Sequence, residues 1–169
     1  MTTTGEILRA AGRGALAGLA GAAIMTVGEK LEQRLTGRPS SYVPGRTLAS
    51  LVGLPRPGED RLPRNLAMHY TTGMLLGTVR GVMAAANLRG PLASFMHAPV
   101  RLSTDQTLEN LTGVGAPPWT WPRDELVIDV AHKGVYSLAT GAIADALVEP
   151  LATSSARRAL SGPRLKGFA

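Results

Sequence analysis

The chain of 169 residues contains no cysteine. Without a thiol it has no disulfide, no thiolate nucleophile, no cysteine-ligated iron–sulfur cluster and no cysteine-type zinc site. Aromatic residues make up 4% of the sequence and charged residues 18%, below the roughly 25% that soluble domains average. Small side chains take the place of the aromatic ones, and 20 residues are glycine.

Catalytic signatures are also missing. The sequence has no GxxxxGK[ST] phosphate loop, no GxSxG nucleophile turn, no HExxH metalloprotease helix and no GxGxxG dinucleotide fingerprint. We therefore predict no catalytic residue and no cofactor. One domain is expected over residues 1–150, followed by a basic tail over 151–169.

Apolar segments divide the chain into predicted helices. The longest uncharged runs, 14–28 and 65–79, have 15 residues each, somewhat short of the roughly 20 that cross a bilayer. Periodicity and stop signals predict long helices that extend beyond these runs. The predicted helices are 14–35, 46–52, 65–88, 92–111 with a kink or restart at Pro99, and 122–148.

The glycines of these helices favour a membrane. Glycine destabilises a water-exposed helix by about 1 kcal/mol relative to alanine, whereas small residues let helices in a bilayer pack closely. Spacings of four residues predict packing faces at Gly14, Gly18, Gly73, Gly77, Gly81 and Gly141. The predicted class is all-α, a small membrane bundle of three to four spanning helices, with 92–111 either re-entrant or spanning. A soluble helical bundle is the alternative.

Positive charge suggests an orientation. The net charge is +6, and Lys plus Arg number seven over 29–64 and four after Pro150, against two before Gly14. Cytoplasmic loops of membrane proteins are rich in these residues. We therefore expect an inner-membrane protein with the long connection and the C-terminus in the cytoplasm. A nucleic-acid partner is not favoured, because the apolar runs are nearly free of charge.

Isolated titratable residues within the apolar helices are the candidate site. Groups of this kind are costly against lipid, so they are expected to face one another. The candidates are Glu29, His69, Arg80, His97, Arg101, Asp105, Asp129 and His132. We predict that His69, Asp129 and His132 lie close together, with Glu29 as a fourth member.

Three interpretations of this cluster are open. A hydrogen-bonded network that fixes the helix pairing is favoured. A metal held by His69, Asp129 and His132, or a haem between the two histidines, is a second interpretation, although a second carboxylate–histidine pair is missing. A path for protons or small solutes is the third.

The first helix around 14–25 and the helix segment 69–81 together resemble the YagU-like inner-membrane proteins. The resemblance implies membrane residence and no established chemistry. We expect a structural or accessory protein that contacts lipid, a membrane protein subunit or a second copy of itself. The alternative is a ligand-binding, metal-binding or transport module that uses the polar cluster.

Overall fold

The computed structural model describes residues 3–151, and within that range the chain is all-α, with no strand. The predicted C-terminal tail, apart from Leu151, lies outside the described residues. The helices are α1 (Thr3–Thr36), α2 (Val43–Leu51), α3 (Leu62–Ala85), α4 (Gly90–Leu111) and α5 (Arg123–Leu147), with a short 3-10 helix at Pro118–Thr120.

The four long helices form an up-down-up-down bundle. Gly14 of α1 meets Gly77 and Gly81 of α3, so these two helices run antiparallel. Gly21 of α1 meets Thr140 of α5, which places α5 antiparallel to α1 as well. The ends of α1 and α4 therefore lie beside the starts of α3 and α5, and α2 packs against α3 at this end.

The helices differ most from the prediction in α1 and at Pro99 of α4, and the other boundaries differ by no more than three residues. α1 begins at Thr3 rather than at Gly14, because its first turns also have packing partners. Ala10 is buried against Ala84, Ala85 and Val148 at the opposite end of the bundle. α4 passes through Pro99 as one helix of 22 residues rather than restarting there.

The interior is made of small and polar side chains. The largest fully buried side chains are Arg80, Tyr136, His97, Thr47, Thr140 and Ser137. Large aliphatic side chains lie outside instead: Leu8 and Leu16 of α1 are 68% and 64% exposed, and Leu92 of α4 is 73% exposed. Among the described residues one helix, α1, is long and apolar enough to cross a membrane by length and composition.

Candidate functional site

A cavity of about 450 Å³ lies at the end of the bundle where α1 and α4 finish and α3 and α5 begin. Six of the eight polar candidates line it: Glu29, His69, Arg101, Asp105, Asp129 and His132. They come from all four long helices. The cavity exists because the helices carry charged side chains at this level in place of the glycines that close the middle of the bundle.

A chain of ion pairs joins α4 to α5 along one wall. Arg101 donates from Nε to Asp105 Oδ2 at 2.9 Å, as their spacing of four residues on one helix favours. Lys133 of α5 lies 3.8 Å from the same carboxylate oxygen and donates a hydrogen bond to Asp129 one turn earlier. The order Arg101, Asp105, Lys133, Asp129 alternates in sign, so each charge has an opposite neighbour.

The two histidines of the cavity come from α3 and α5. His132 Nε2 lies 4.0 Å from Glu32 Oε2 of α1. His69 lies on α3, edge-on to the ring of Tyr70, with its Nε2 buried and without a hydrogen-bond partner. Arg101 and Lys133 are among the charged groups close enough to act on His69 electrostatically. The lining of the cavity therefore holds imidazoles as well as ion pairs.

The connection after α1 closes part of the cavity. Arg38 donates from Nε and Nη2 to Glu32 Oε2, at 3.1 and 2.7 Å. These bonds raise the pKa of Arg38 above its usual value, so this cation keeps its charge at every working pH. Trp121 also lines the cavity and donates from its indole Nε1 to the Ala116 carbonyl oxygen at 2.7 Å.

Four polar atoms on residues that line the cavity are buried and lack a hydrogen-bond partner. They are Thr47 Oγ1, His69 Nε2, Arg101 Nη1 and Asp129 Oδ2. Leaving one buried polar group unpaired costs about 1–3 kcal/mol, and more when the group is charged.

A metal centre finds no support in this geometry. Among residues 3–151 no group of three or more histidine, aspartate or glutamate side chains is placed to hold a metal ion. Asp129 lies in an ion pair with Lys133, and His132 lies beside Glu32. Asp129 and His132, three residues apart on α5, thus contact two different partners.

Arg80 lies apart from the cavity, in a second polar network at the other end of the bundle. It is fully buried, and its Nη2 donates to Asp145 Oδ1 at 2.9 Å. The other carboxylate oxygen of Asp145 accepts the backbone N–H of Gly90 at 2.7 Å, at the start of α4. Arg89 donates to the Val148 carbonyl oxygen at 2.8 Å. This network joins α3, α4 and α5 where α5 ends.

His97 lies between the two polar ends and lines neither. It is fully buried, and its Nε2 lies 3.0 Å from the Leu76 carbonyl oxygen, to which only a protonated nitrogen can donate. Its ring is tilted against that of Tyr136, with 5.8 Å between centroids. Arg101 also lies over the ring of this tyrosine, 4.8 Å from the ring centre.

The six candidate packing glycines lie at helix crossings. An added Cβ on Gly14 would lie 2.6 Å from the Cα of Gly81 and overlap the Gly77 carbonyl oxygen. Gly18 meets Gly73 and Gly77 in the same way, so α1 and α3 are in backbone contact over two turns. Gly141 of α5 instead receives the Ser94 hydroxyl and the guanidinium of Arg80.

Sequence reasoning missed two residues that this geometry makes important. Asp145, the partner of Arg80, is a lone carboxylate among alanines, so the rule that selected the other candidates would have found it. Glu109 lines the cavity one turn after Asp105, at the same spacing of four residues that links Arg101 to Asp105.

No known protein family, characterised protein or solved structure shows detectable similarity to this chain. The resemblance to the YagU-like proteins stays a prediction.

Proposed function

We propose that this is an integral membrane protein whose bundle holds a ligand-binding cavity at one end. The observation that supports membrane residence is the inverted burial of its side chains. An arginine, a histidine and a tyrosine are fully buried, while leucines of α1 and α4 are exposed over more than half of their surface. A protein in water hides its leucines and leaves its arginines outside. A bilayer favours the reverse, because lipid tails accept leucine and penalise charge.

The lengths of the helices suit this environment. At about 1.5 Å per residue, the 24 residues of α3, the 22 of α4 and the 25 of α5 are each about 33–38 Å long, enough for a hydrocarbon core of about 30 Å. Among the described helices α1 alone also has the composition of a span, and α4 has the largest share of polar residues, so we take α1, α3 and α5 as the three principal spans and α4 as the fourth. The exposed Trp119, in the loop between α4 and α5, suits the headgroup region.

The arrangement of the helices bears on orientation. The long connection after α1 and the end of α5 lie at opposite ends of the bundle, because Arg13 near the start of α1 donates to the Leu147 carbonyl oxygen at 2.8 Å. With four spans, only one of these two ends faces the cytoplasm. We propose that it is the connection, because it holds seven Lys and Arg in one segment, whereas the seven on the other side are divided among three segments. The end of α5 then faces the opposite side of the membrane, in place of the cytoplasmic C-terminus expected from the sequence.

Carbonate extraction of membranes tests residence. We expect the full chain to stay in the pellet at high pH and to enter solution only with detergent, as an integral marker protein does in the same sample. Release into the supernatant as a folded protein, together with a peripheral marker, would support the soluble bundle instead.

The cavity supports ligand binding as the function of this membrane protein. Its lining holds four buried polar atoms without partners, and a site of about 450 Å³ has the size of small-molecule pockets. A bound small molecule that protects the purified protein against heat denaturation would support this role.

A structural or accessory role is the second candidate. The observation that favours it is the last part of α1, where Leu31 and Leu35 are 58% and 79% exposed beside charged residues. α1 is 34 residues long, about 51 Å, so this part extends beyond the hydrocarbon and could contact a partner subunit or a second copy. A stoichiometric partner that is lost in a Leu31→Ser/Leu35→Ser variant, but retained when the exposed Leu51 is changed to Ser, would support it.

A further inference from the structure

Two residues that line the cavity, Arg101 and Asp129, each carry a buried polar atom without a hydrogen-bond partner. Arg101 has a side chain only 3% exposed, and its Nε already donates to Asp105. Its Nη1 is buried without a partner, as is Oδ2 of Asp129. The two residues are linked through Asp105 and Lys133, so both free atoms belong to one chain of ion pairs.

The chemistry of each free atom sets what it needs. A guanidinium nitrogen only donates, so Arg101 Nη1 requires an acceptor oxygen, and it binds most strongly to a carboxylate or phosphate. An ionised carboxylate only accepts, so Asp129 Oδ2 requires a donor. The Thr47 hydroxyl on α2 is also unpartnered and does either.

The charge of the whole lining excludes the simplest ligands. Five acidic side chains line the cavity against three basic ones; the acidic residues are Glu29, Asp105, Glu109, Glu125 and Asp129, and the basic residues are Arg38, Arg101 and Lys133. A plain anion would satisfy Arg101 but meet an excess of negative charge. A plain cation would suit the carboxylates but leave Arg101 Nη1 without an acceptor.

We infer that the cavity binds a small zwitterion, with its anionic oxygen on Arg101 and its ammonium group towards Asp129. This inference rests on the proposed ligand-binding role and adds the class of ligand. Two sources share this chemistry: a free molecule of the amino-acid kind, and a lipid headgroup that carries phosphate and ammonium. The second source is within reach if this end of the bundle lies at the membrane surface.

Binding to the purified full chain in a lipid-free maltoside detergent tests the inference. The probes for isothermal titration calorimetry are glycine, glycerophosphoethanolamine, ethanolamine and inorganic phosphate. We expect one of the two zwitterions to bind at least tenfold more tightly than either ethanolamine or phosphate. Tighter binding of glycerophosphoethanolamine identifies the headgroup source, and tighter binding of glycine identifies the free source.

Variants test the assigned atoms. Asp129→Asn keeps the shape of the side chain and removes its charge, and Arg101→Lys keeps the charge and removes the guanidinium fork. We expect each to weaken binding of the zwitterion at least tenfold, while Asp60→Asn, on an exposed ion pair in the connection, leaves it unchanged. If Arg101→Lys fails to fold, Asp129→Asn alone decides.

The contrary outcomes are distinct. Phosphate or ethanolamine binding as tightly as the zwitterions would overturn the inference and leave a ligand-binding cavity. Unchanged binding in Asp129→Asn would overturn it in the same way. No saturable binding of any probe would overturn both the inference and the ligand-binding role, whereas carbonate extraction tests membrane residence independently of both.

Discussion

The hydroxyl of Tyr136 on α5 donates a hydrogen bond of 2.6 Å to the carbonyl oxygen of Gly73 on α3. Gly73 lies at the α1–α3 crossing, and an added Cβ there would lie 2.8 Å from the Ala22 Cβ of α1. The absence of a side chain on Gly73 thus lets α1 approach and leaves the carbonyl within reach of the tyrosine. Three helices are tied together at this one position.

Removal of the Tyr136 hydroxyl should therefore weaken the bundle by a small, defined amount. We expect Tyr136→Phe to lower the free energy of unfolding by about 0.5–1.5 kcal/mol, the usual net contribution of one hydrogen bond. Unfolding of the purified protein in detergent measures the change. Tyr70→Phe, at a tyrosine that packs against Met25 and Tyr136 nearby, is the control, and an equal loss there would show that the Gly73 bond contributes nothing specific.

The glycine crossing predicts a larger effect. Gly77→Ala places a methyl group against the Gly14 carbonyl oxygen and the Cα of Gly18, both backbone atoms that cannot rotate away. We expect α1 and α3 to separate and the stability in detergent to fall by about 1–3 kcal/mol or more.

The matched variant is Gly134→Ala, because nothing lies within 4 Å of the added carbon in α5. It should be neutral or stabilise the helix by up to about 1 kcal/mol. Equal stability of the two variants would contradict backbone contact at the crossing.

The sequence predicts the helices and part of the polar cavity, and particular residues show where it falls short. His69 and Arg80 share a face of α3, but they lie eleven positions apart, which is about 16 Å along the helix axis. They therefore belong to different ends of the bundle, as the structure has them. The number of turns between two residues gives this separation, but which neighbouring helix supplies the partner depends on tertiary packing. Asp145 for Arg80 and Glu32 for His132 are two such partners.

The beginning of α1 shows a second limit. The segment before Gly14 carries Glu6, Arg9 and Arg13, so its composition alone does not indicate a helix continuous with the apolar run. Its conformation depends on distant residues: Ala10 packs against α3 and the end of α5, and Arg13 donates to Leu147, 134 positions away. Contacts of that range leave no periodic signal in the local sequence.

The Arg80–Asp145 pair offers a prediction with an internal control. The side chain of Arg80 is fully buried and that of Asp145 is 18% exposed, whereas the Arg46–Asp60 pair is 41% and 48% exposed. Removing one partner of a buried pair leaves an uncompensated charge, so we expect Asp145→Leu to cost about 3–5 kcal/mol. Part of the loss comes from the Gly90 N–H, which also loses its acceptor.

A double-mutant cycle separates the pair from its surroundings. Arg80→Met combined with Asp145→Leu should recover most of the loss, since no buried charge is then left alone. The same changes at the exposed pair, Arg46→Met and Asp60→Leu, should each alter stability by no more than about 1 kcal/mol. If the two cycles gave equal coupling energies, burial of the first pair would have no energetic consequence.

The last prediction tests the membrane and its sidedness together, and it uses the absence of native cysteine. Each of three single substitutions introduces a unique thiol in an otherwise thiol-free chain. They are Gly58→Cys in the connection, Ala86→Cys between α3 and α4, and Leu75→Cys on α3. All three positions are exposed to the outside of the bundle.

We expect an impermeant maleimide added to spheroplasts to label Ala86→Cys, and to label Gly58→Cys only after the membrane is opened. Leu75→Cys should resist labelling until the protein is denatured, because its side chain is 58% exposed on the surface that the membrane proposal assigns to lipid. Labelling of Leu75→Cys as fast as the other two before denaturation would contradict the membrane proposal. Exchange of the results at Gly58 and Ala86 would instead reverse the orientation alone.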